Sequence, residues 1–361
     1  MVKSAIYVNR FKSSNGVGNA AISLFEDLVA REMKVEVYCM RRDERFVNNS
    51  NIHRFPIEVP YSLEVFILAL WAFFVSHKFH MNHSFEVTLK KCNFYHLHFD
   101  TSLSKSTTPV RSIRGLGRFI AAQGLQFGLR LAISANSELV VPSDLLREKL
   151  VQQSRFRQSR VVVYPNRLSA GDVELVNQAS QIKKSIESAS ELEKESETYL
   201  VALIANGDFN YKGLSRLDEI LAHLPECCSL VLVGGKNSPK VDPRFADRVI
   251  WHHEKDRTEL FGFYSNVAGL IVASPFESFS MVALEAVSLG VPTLFLGNAG
   301  IIDLYEEYLS TFDRERLMFR VNAVEQWRKQ IMIGHNLQLD FNDFLTSLRD
   351  LKVKDFLRIQ S

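Results

Sequence analysis

Apolar and polar positions alternate along the 361-residue chain in two runs of strand and helix signals, separated by one polar stretch. The first run opens with a short apolar segment, SAIYVN, then a Gly-containing turn, SSNGVGNAA. An amphipathic segment follows through Leu24, Leu28 and Val29, and then a second apolar strand, VEVYCM. This order predicts a β-α-β unit. Further strands are expected at Cys92–Phe99, Leu139–Val141 and Val161–Tyr164, with helical periodicity between them. From Asn166 to Thr198 the chain turns polar and charged (QIKKSIESASELEKESET), which reads as a linker plus a solvated helix. The alternation restarts with YLVALIANG, Leu214–Leu224, CSLVLVGG, Arg248–Trp251, Glu259–Ser265, AGLIVAS, Met281–Leu289 and PTLFLG. A second parallel sheet with crossover helices is therefore expected.

The fold class that follows is α/β, with two Rossmann-like domains facing across a cleft, and the length suits two domains. The expected division is an N-terminal domain at 1–165, the linker and solvated helix at 166–198, and a C-terminal domain at 199–340. A helical tail at 341–361 is expected to pack back on the N-terminal domain. Ligands of such sheets sit at the carboxyl ends of the strands.

Composition narrows the function. A hydrophobic share of 46% with 23% charged residues is that of an ordinary folded domain, so a disordered chain is excluded. Residues 1–165 hold 22 Lys and Arg against 13 Asp and Glu, a net +9; the remainder holds 21 against 28, a net −7. The basic half thus favours an anionic partner. Cys39, Cys92, Cys227 and Cys228 have no metal-ligand spacing and suggest thiols in a reducing compartment. The opening residues read as a strand rather than a signal peptide, so a cytoplasmic location is expected.

The most informative segment is SPFESFSMVALEAVSLGVPTLFLGNAG, Ser274 to Gly300. A strand ends at Ser274, Pro275 turns the chain, and a helix is predicted to begin near Ser278 or Ser280 and to run to about Leu289. Glu277 is then expected at the helix N-terminus, among unpaired amides suited to an anion, with Glu285 about two turns on. This layout resembles the E-x7-E motif of the retaining family 4 glycosyltransferases, which have the two-Rossmann-domain GT-B architecture. The resemblance implies that Glu277 contacts a donor sugar and Glu285 the ribose of its nucleotide. The family's Glu-Gly-Phe-Gly reads Glu277-Ser278-Phe279-Ser280 here, so Ser278, Phe279 and Ser280 are expected at the donor with both glycines replaced.

Three other segments join it. IANGDFNYKGL, ending at Leu214, is similar to the family's phosphate-binding loop. Lys212 stands at the basic position, while Gly207 and Asp208 fall where the family has Gly-Arg, so the arginine is missing. Gly16 and Gly18 lie in the first strand-to-helix turn, where the family has a Gly-rich loop facing the donor phosphates; Gly-x-Gly alone is a common turn. His96, His98 and Asp100 alternate in YHLHFD, and the resemblance points to His98 as the histidine near the chemistry. The HKFHMNH run lacks a carboxylate or cysteine at ligand spacing, and the chain contains no Asp-x-Asp. A metal-free reaction without a cofactor is therefore expected, with a nucleoside-diphosphate sugar as the donor substrate.

The resemblance implies transfer of a hexosyl unit, with retention, to a hydroxyl of a glycan or lipid-linked acceptor such as a lipopolysaccharide precursor. A sugar-nucleotide epimerase of the same architecture and a catalytically degenerate partner subunit are the alternatives; no nucleic-acid partner is expected. Residues 101–137 carry Lys105, Arg111, Arg114, Arg118 and Arg130 among apolar side chains, with no acidic residue. That pattern suits the headgroup region of an anionic membrane. Ser62–Ser76 is also strongly apolar, too short to span a bilayer, and reads first as a buried core helix.

Overall fold

The structure, a computed structural model, describes residues 2–13, 16–59, 61–85, 92–98, 137–153, 160–190, 199–204, 212–224, 226, 228–235, 239–253, 255–267, 269–289, 291, 293–302 and 332–333. The chain forms two compact units, Met1–Ala170 and Gly171–Ser361. The expected tail at 341–361 and residues 101–136 lie outside the described residues.

The first unit is a seven-stranded parallel sheet. Its strands are β1 (Lys3–Phe11), β2 (Lys34–Arg42), β3 (Ile52–Arg54), β4 (Met81–Phe85), β5 (Phe94–His96), β6 (Glu138–Val141) and β7 (Arg160–Val163). They lie in the order β3-β2-β1-β4-β5-β6-β7. Among the described residues three α-helices accompany them: α1 (Gly16–Ala30), α2 (Tyr61–Val75) and α3 (Asp144–Val151). β1 is central and buried on both faces, which explains its continuous run of buried residues from Ser4 to Val8 in place of a period-two alternation. Gly18 explains how α1 approaches so closely: a Cβ there would stand 2.4 Å from the carbonyl oxygens of both Arg10 and Lys12. Ser143 caps α3, its hydroxyl accepting from the Leu146 amide at 3.2 Å.

The second unit opens with α4 (Ala170–Ser190), in the stretch read from the sequence as linker and solvated helix. Asp172, Val176 and Ala179 of α4 are buried, so part of it belongs to the interior. β8 (Tyr199–Ile204), α5 (Leu217–His223), β9 (Cys228–Val233), β10 (Val249–His252), α6 (Arg257–Tyr264), β11 (Gly269–Val272) and β12 (Phe276–Glu277) follow. After them come α7 (Met281–Ser288), β13 (Thr293–Phe295), β14 (Asn298–Ala299) and β15 (Met332–Ile333). The main sheet is parallel in the order β10-β9-β8-β11-β13-β15, while β12 and β14 pair separately. One side of the sheet is closed by a core of Leu203, Leu217, Ile220, Leu221, Leu230 and Ile271.

In both units the strand order reverses direction beside the first strand, between β1 and β4 and between β8 and β11. Such a switch point opens a crevice at the carboxyl ends of the two strands and is where ligands bind in open α/β sheets. The first predicted Gly-containing turn follows β1, and Lys212 and Glu277 follow β8 and β11.

Candidate active site

Two segments converge at the switch point of the second unit. Lys212 leads into Gly213, which has φ +80°. A Cβ on Gly213 would lie 2.1 Å from the Ala273 carbonyl oxygen, so only glycine lets this loop close against the end of β11. That closure brings the Lys212 Nζ within 2.6 Å of Glu277 Oε1. Ser274 donates its hydroxyl to the same oxygen at 2.6 Å. Both partners thus use one oxygen of Glu277; among the described residues Oε2 takes no hydrogen bond, and Lys212 uses one of its three N–H donors. The pair is partly accessible, with Lys212 30% and Glu277 14% exposed, so a polar ligand can reach the remaining donors and acceptor.

Glu277 differs in its local structure from the sequence expectation. It does not sit on the helix but in β12, paired with Asn298–Ala299, and the helix α7 begins four residues later at Met281. The turn between is pinned from several sides. Asn298 N–H donates to Pro275 O and Ile301 N–H to Phe279 O, while a Cβ on Gly297 would meet the Ser274 carbonyl at 2.3 Å. Phe279 is 2% exposed and anchors the turn in the core. Ser280 adopts φ +84°, the left-handed region that favours glycine, and its side chain caps no amide of α7. Its hydroxyl is buried and has no hydrogen-bond partner among the described residues.

Glu285 faces inward. Arg257 donates to its Oε1 at 2.6 Å and the Tyr264 hydroxyl to its Oε2 at 3.0 Å. Arg257 also grips Asp172 of α4, at 2.6 and 3.1 Å through Nη2 and Nε. Burial pushes the Glu285 carboxyl above its usual range, with the Arg257 charge opposing. Burial also works against the Arg257 charge, but Glu285 and Asp172 more than offset it and raise its pKa. Both oxygens of Glu285 thus already accept a hydrogen bond, and its side chain is only 3% exposed.

In the first unit, α1 begins at Gly16, which is exposed, whereas Gly18 is buried against its own strand. His98 lies just past the end of β5 and is buried, stacked on Phe85. With Ser23, His96, Asn166 and Arg167 it lines a small recess, of about 10 Å3, at the carboxyl edge of the sheet. Burial lowers the His98 pKa to about 4, so its imidazole is neutral at physiological pH. Gly207 and Asp208 lie outside the described residues. The structure thus joins Lys212 to Glu277 and sets Ser278, Phe279 and Ser280 in the adjoining turn.

Sequence reasoning missed Ser274, Arg257, Asp172 and Tyr264. Asp256 and Glu259 form a capping box readable as D-x-x-E ahead of an apolar helix, which would have placed Arg257 in a first turn. Nothing local signals its ion pairs with residues 28 and 85 positions away.

Residues 199–332 match the family described as "Glycosyl transferases group 1". The whole chain has the fold of GT-B glycosyltransferases. It aligns with WaaG, a glycosyltransferase involved in lipopolysaccharide biosynthesis, at 15% identity and a TM-score of 0.62, over 98% of this chain and 96% of that one. Anabaena HepE in complex with UDP-glucose aligns at 14% identity and TM-score 0.59, over 98% and 91%. The catalytic domain of starch synthase IV from Arabidopsis thaliana, bound to ADP and acarbose, aligns at 12% and 0.63, over 98% and 92%. No curated protein sequence matches.

Proposed function

We propose that this protein is a retaining, metal-independent glycosyltransferase of the family 4 type, moving a hexosyl unit from a nucleoside-diphosphate sugar to a hydroxyl acceptor. The observation that carries this reading is the Lys212–Glu277 pair, held at the switch point by Ser274 and by the close approach of Gly213. The two remaining N–H donors of Lys212 meet the diphosphate oxygens. Glu277 Oε2 accepts a hydroxyl of the donor sugar. As the bond from the anomeric carbon to the phosphate oxygen breaks, negative charge grows on the leaving group, where Lys212 and the amides opening α7 stabilise it. The acceptor oxygen bonds to the anomeric carbon on the same face, and its proton passes to the departing phosphate. No side-chain base is needed.

Solved proteins of this fold carry UDP-glucose in one case and ADP in another, which supports a nucleoside diphosphate and leaves its base open. A glycan or lipid-linked acceptor is part of the proposal, as is contact with an anionic membrane through residues 101–137. Turnover of a panel of nucleotide sugars with hydroxyl acceptors, with and without chelator, tests it. Lys212→Ala is expected to lose about 3 kcal/mol of transition-state stabilisation, a rate drop on the order of a hundredfold, with the fold intact. Near-normal rates in Lys212→Ala or Glu277→Gln would refute the assignment. Donor consumed without any acceptor would identify an epimerase instead, and donor bound but never turned over a degenerate partner.

A further inference from the structure

Besides the Lys212–Glu277 pair, the second unit holds another polar cluster. Arg257, in the first turn of α6, links Asp172 of α4 to Glu285 of α7, and the Tyr264 hydroxyl takes the other oxygen of Glu285. The four side chains differ in accessibility. Asp172 and Glu285 are 2% and 3% exposed and Tyr264 is fully buried, whereas Arg257 is 15% exposed. A solute approaching the cluster therefore meets the guanidinium first. Asp256 and Glu259 fix that turn of α6 through their capping box. The turn follows the carboxyl end of β10, on the edge of the sheet where ligands sit. β10 stands two strands, about 10 Å, from β8, within reach of a nucleotide whose diphosphate lies at Lys212.

The chemistry of the cluster decides which member a ligand can use. An ionised carboxylate only accepts hydrogen bonds, and a guanidinium only donates them. Each oxygen of Glu285 already accepts one bond, and its side chain is almost fully covered. Arg257 has donors to spare. Of its five N–H groups, Nε and Nη2 serve Asp172 and Nη1 serves Glu285, which leaves two with no acceptor among the described residues. The guanidinium is also held still, by the two carboxylates and by the Phe261 ring, whose centre lies 4.9 Å from its central carbon. A planar donor fixed in this way loses little freedom when it binds an oxygen.

We propose that Arg257, and not Glu285, reads the ribose of the donor: its two unused N–H groups donate to ribose hydroxyl oxygens, while Glu285 and Asp172 hold the guanidinium in place. The inference rests on the donor site proposed above and departs from the role that the resemblance gives Glu285. The test is calorimetric titration of the full chain with UDP, ADP and GDP and with their 2′-deoxy and 3′-deoxy forms. Wild type, Arg257→Lys and Glu285→Gln are compared, with the melting temperature read for each. Glutamine keeps an oxygen for Arg257, and lysine keeps the charge but not the fork. In wild type, removal of a ribose hydroxyl is expected to weaken binding about tenfold. That loss should shrink below about threefold in Arg257→Lys and persist in Glu285→Gln, whatever either substitution does to the melting temperature. A hydroxyl dependence that vanishes in Glu285→Gln overturns the proposal, and this arm decides even where Arg257→Lys folds poorly. Deoxy forms that bind wild type as well as the parent nucleotides overturn it too, as does a dependence that both variants retain. If no diphosphate binds wild type at all, the donor site itself falls, and this inference with it.

Discussion

Replacing Ser280 with glycine should make the protein more stable and bind donor less well. Ser280 has φ +84°, where a side chain costs about 1–2 kcal/mol relative to glycine. Its buried hydroxyl has no partner, a further cost of about 1–3 kcal/mol. Glycine returns about 0.5–1 kcal/mol of that through its greater freedom in the unfolded chain. The balance favours glycine by about 1–4 kcal/mol, and for a unit of this size each kcal/mol raises the melting temperature by about 2–4 °C. Ser280→Ala separates the two causes, because it removes the orphan hydroxyl and keeps the left-handed backbone. Calorimetric melting of the three proteins should rank them glycine, alanine, serine. Strain and an unpaired group are tolerated where a ligand uses them, so both variants should also raise the donor KM several-fold. A glycine variant no more stable than the parent would refute the strain argument, and one with unchanged donor KM would remove the hydroxyl from the site.

Gly213→Ala puts a Cβ 2.1 Å from a backbone oxygen at φ +80°, and should destabilise the second unit by about 3 kcal/mol or more while abolishing turnover; urea denaturation reads the first effect. Arg257→Ala strands two carboxylates that are 2% and 3% exposed, and should cost about 3–5 kcal/mol by the same measurement, with Arg257→Lys intermediate. His83 and His98 titrate near 4 when folded because burial disfavours their charge, against 6.5 when exposed. The unfolded chain therefore binds more protons between those values. Stability should be full above about pH 6.5 and fall by about 3 kcal/mol per histidine as pH drops toward 4, and denaturation across that range should show His83→Phe losing less.

Much of this architecture was readable because a buried parallel strand announces itself as a continuous apolar run, as Ala5–Val8 and Val201–Ile204 do. The Glu277 and Glu285 pair was legible through the phrase around it, and Lys212 through the glycine after it. What escaped was set by distant partners. Glu277 lies in a strand because Asn298–Ala299 pair with Phe276–Glu277, 22 residues downstream in register. Glu285 is held by Arg257 and Tyr264, and no periodicity announces a buried ion pair across 28 residues. Ser62–Ser76 read first as a buried core helix, yet Leu63, Phe66, Leu70, Phe73 and Phe74 are exposed, because an apolar run reads alike whether its second face is buried or bare.

The account stands on Lys212 and Glu277 as the place where a nucleoside-diphosphate sugar binds. Its most direct test is calorimetric titration of a panel of nucleotide sugars into the wild-type protein and into Lys212→Ala. One member of the panel is expected to bind wild type, with affinity reduced at least tenfold in the variant and the variant's melting temperature within a degree or two of wild type. Equal affinity of that nucleotide sugar for the two proteins would contradict it.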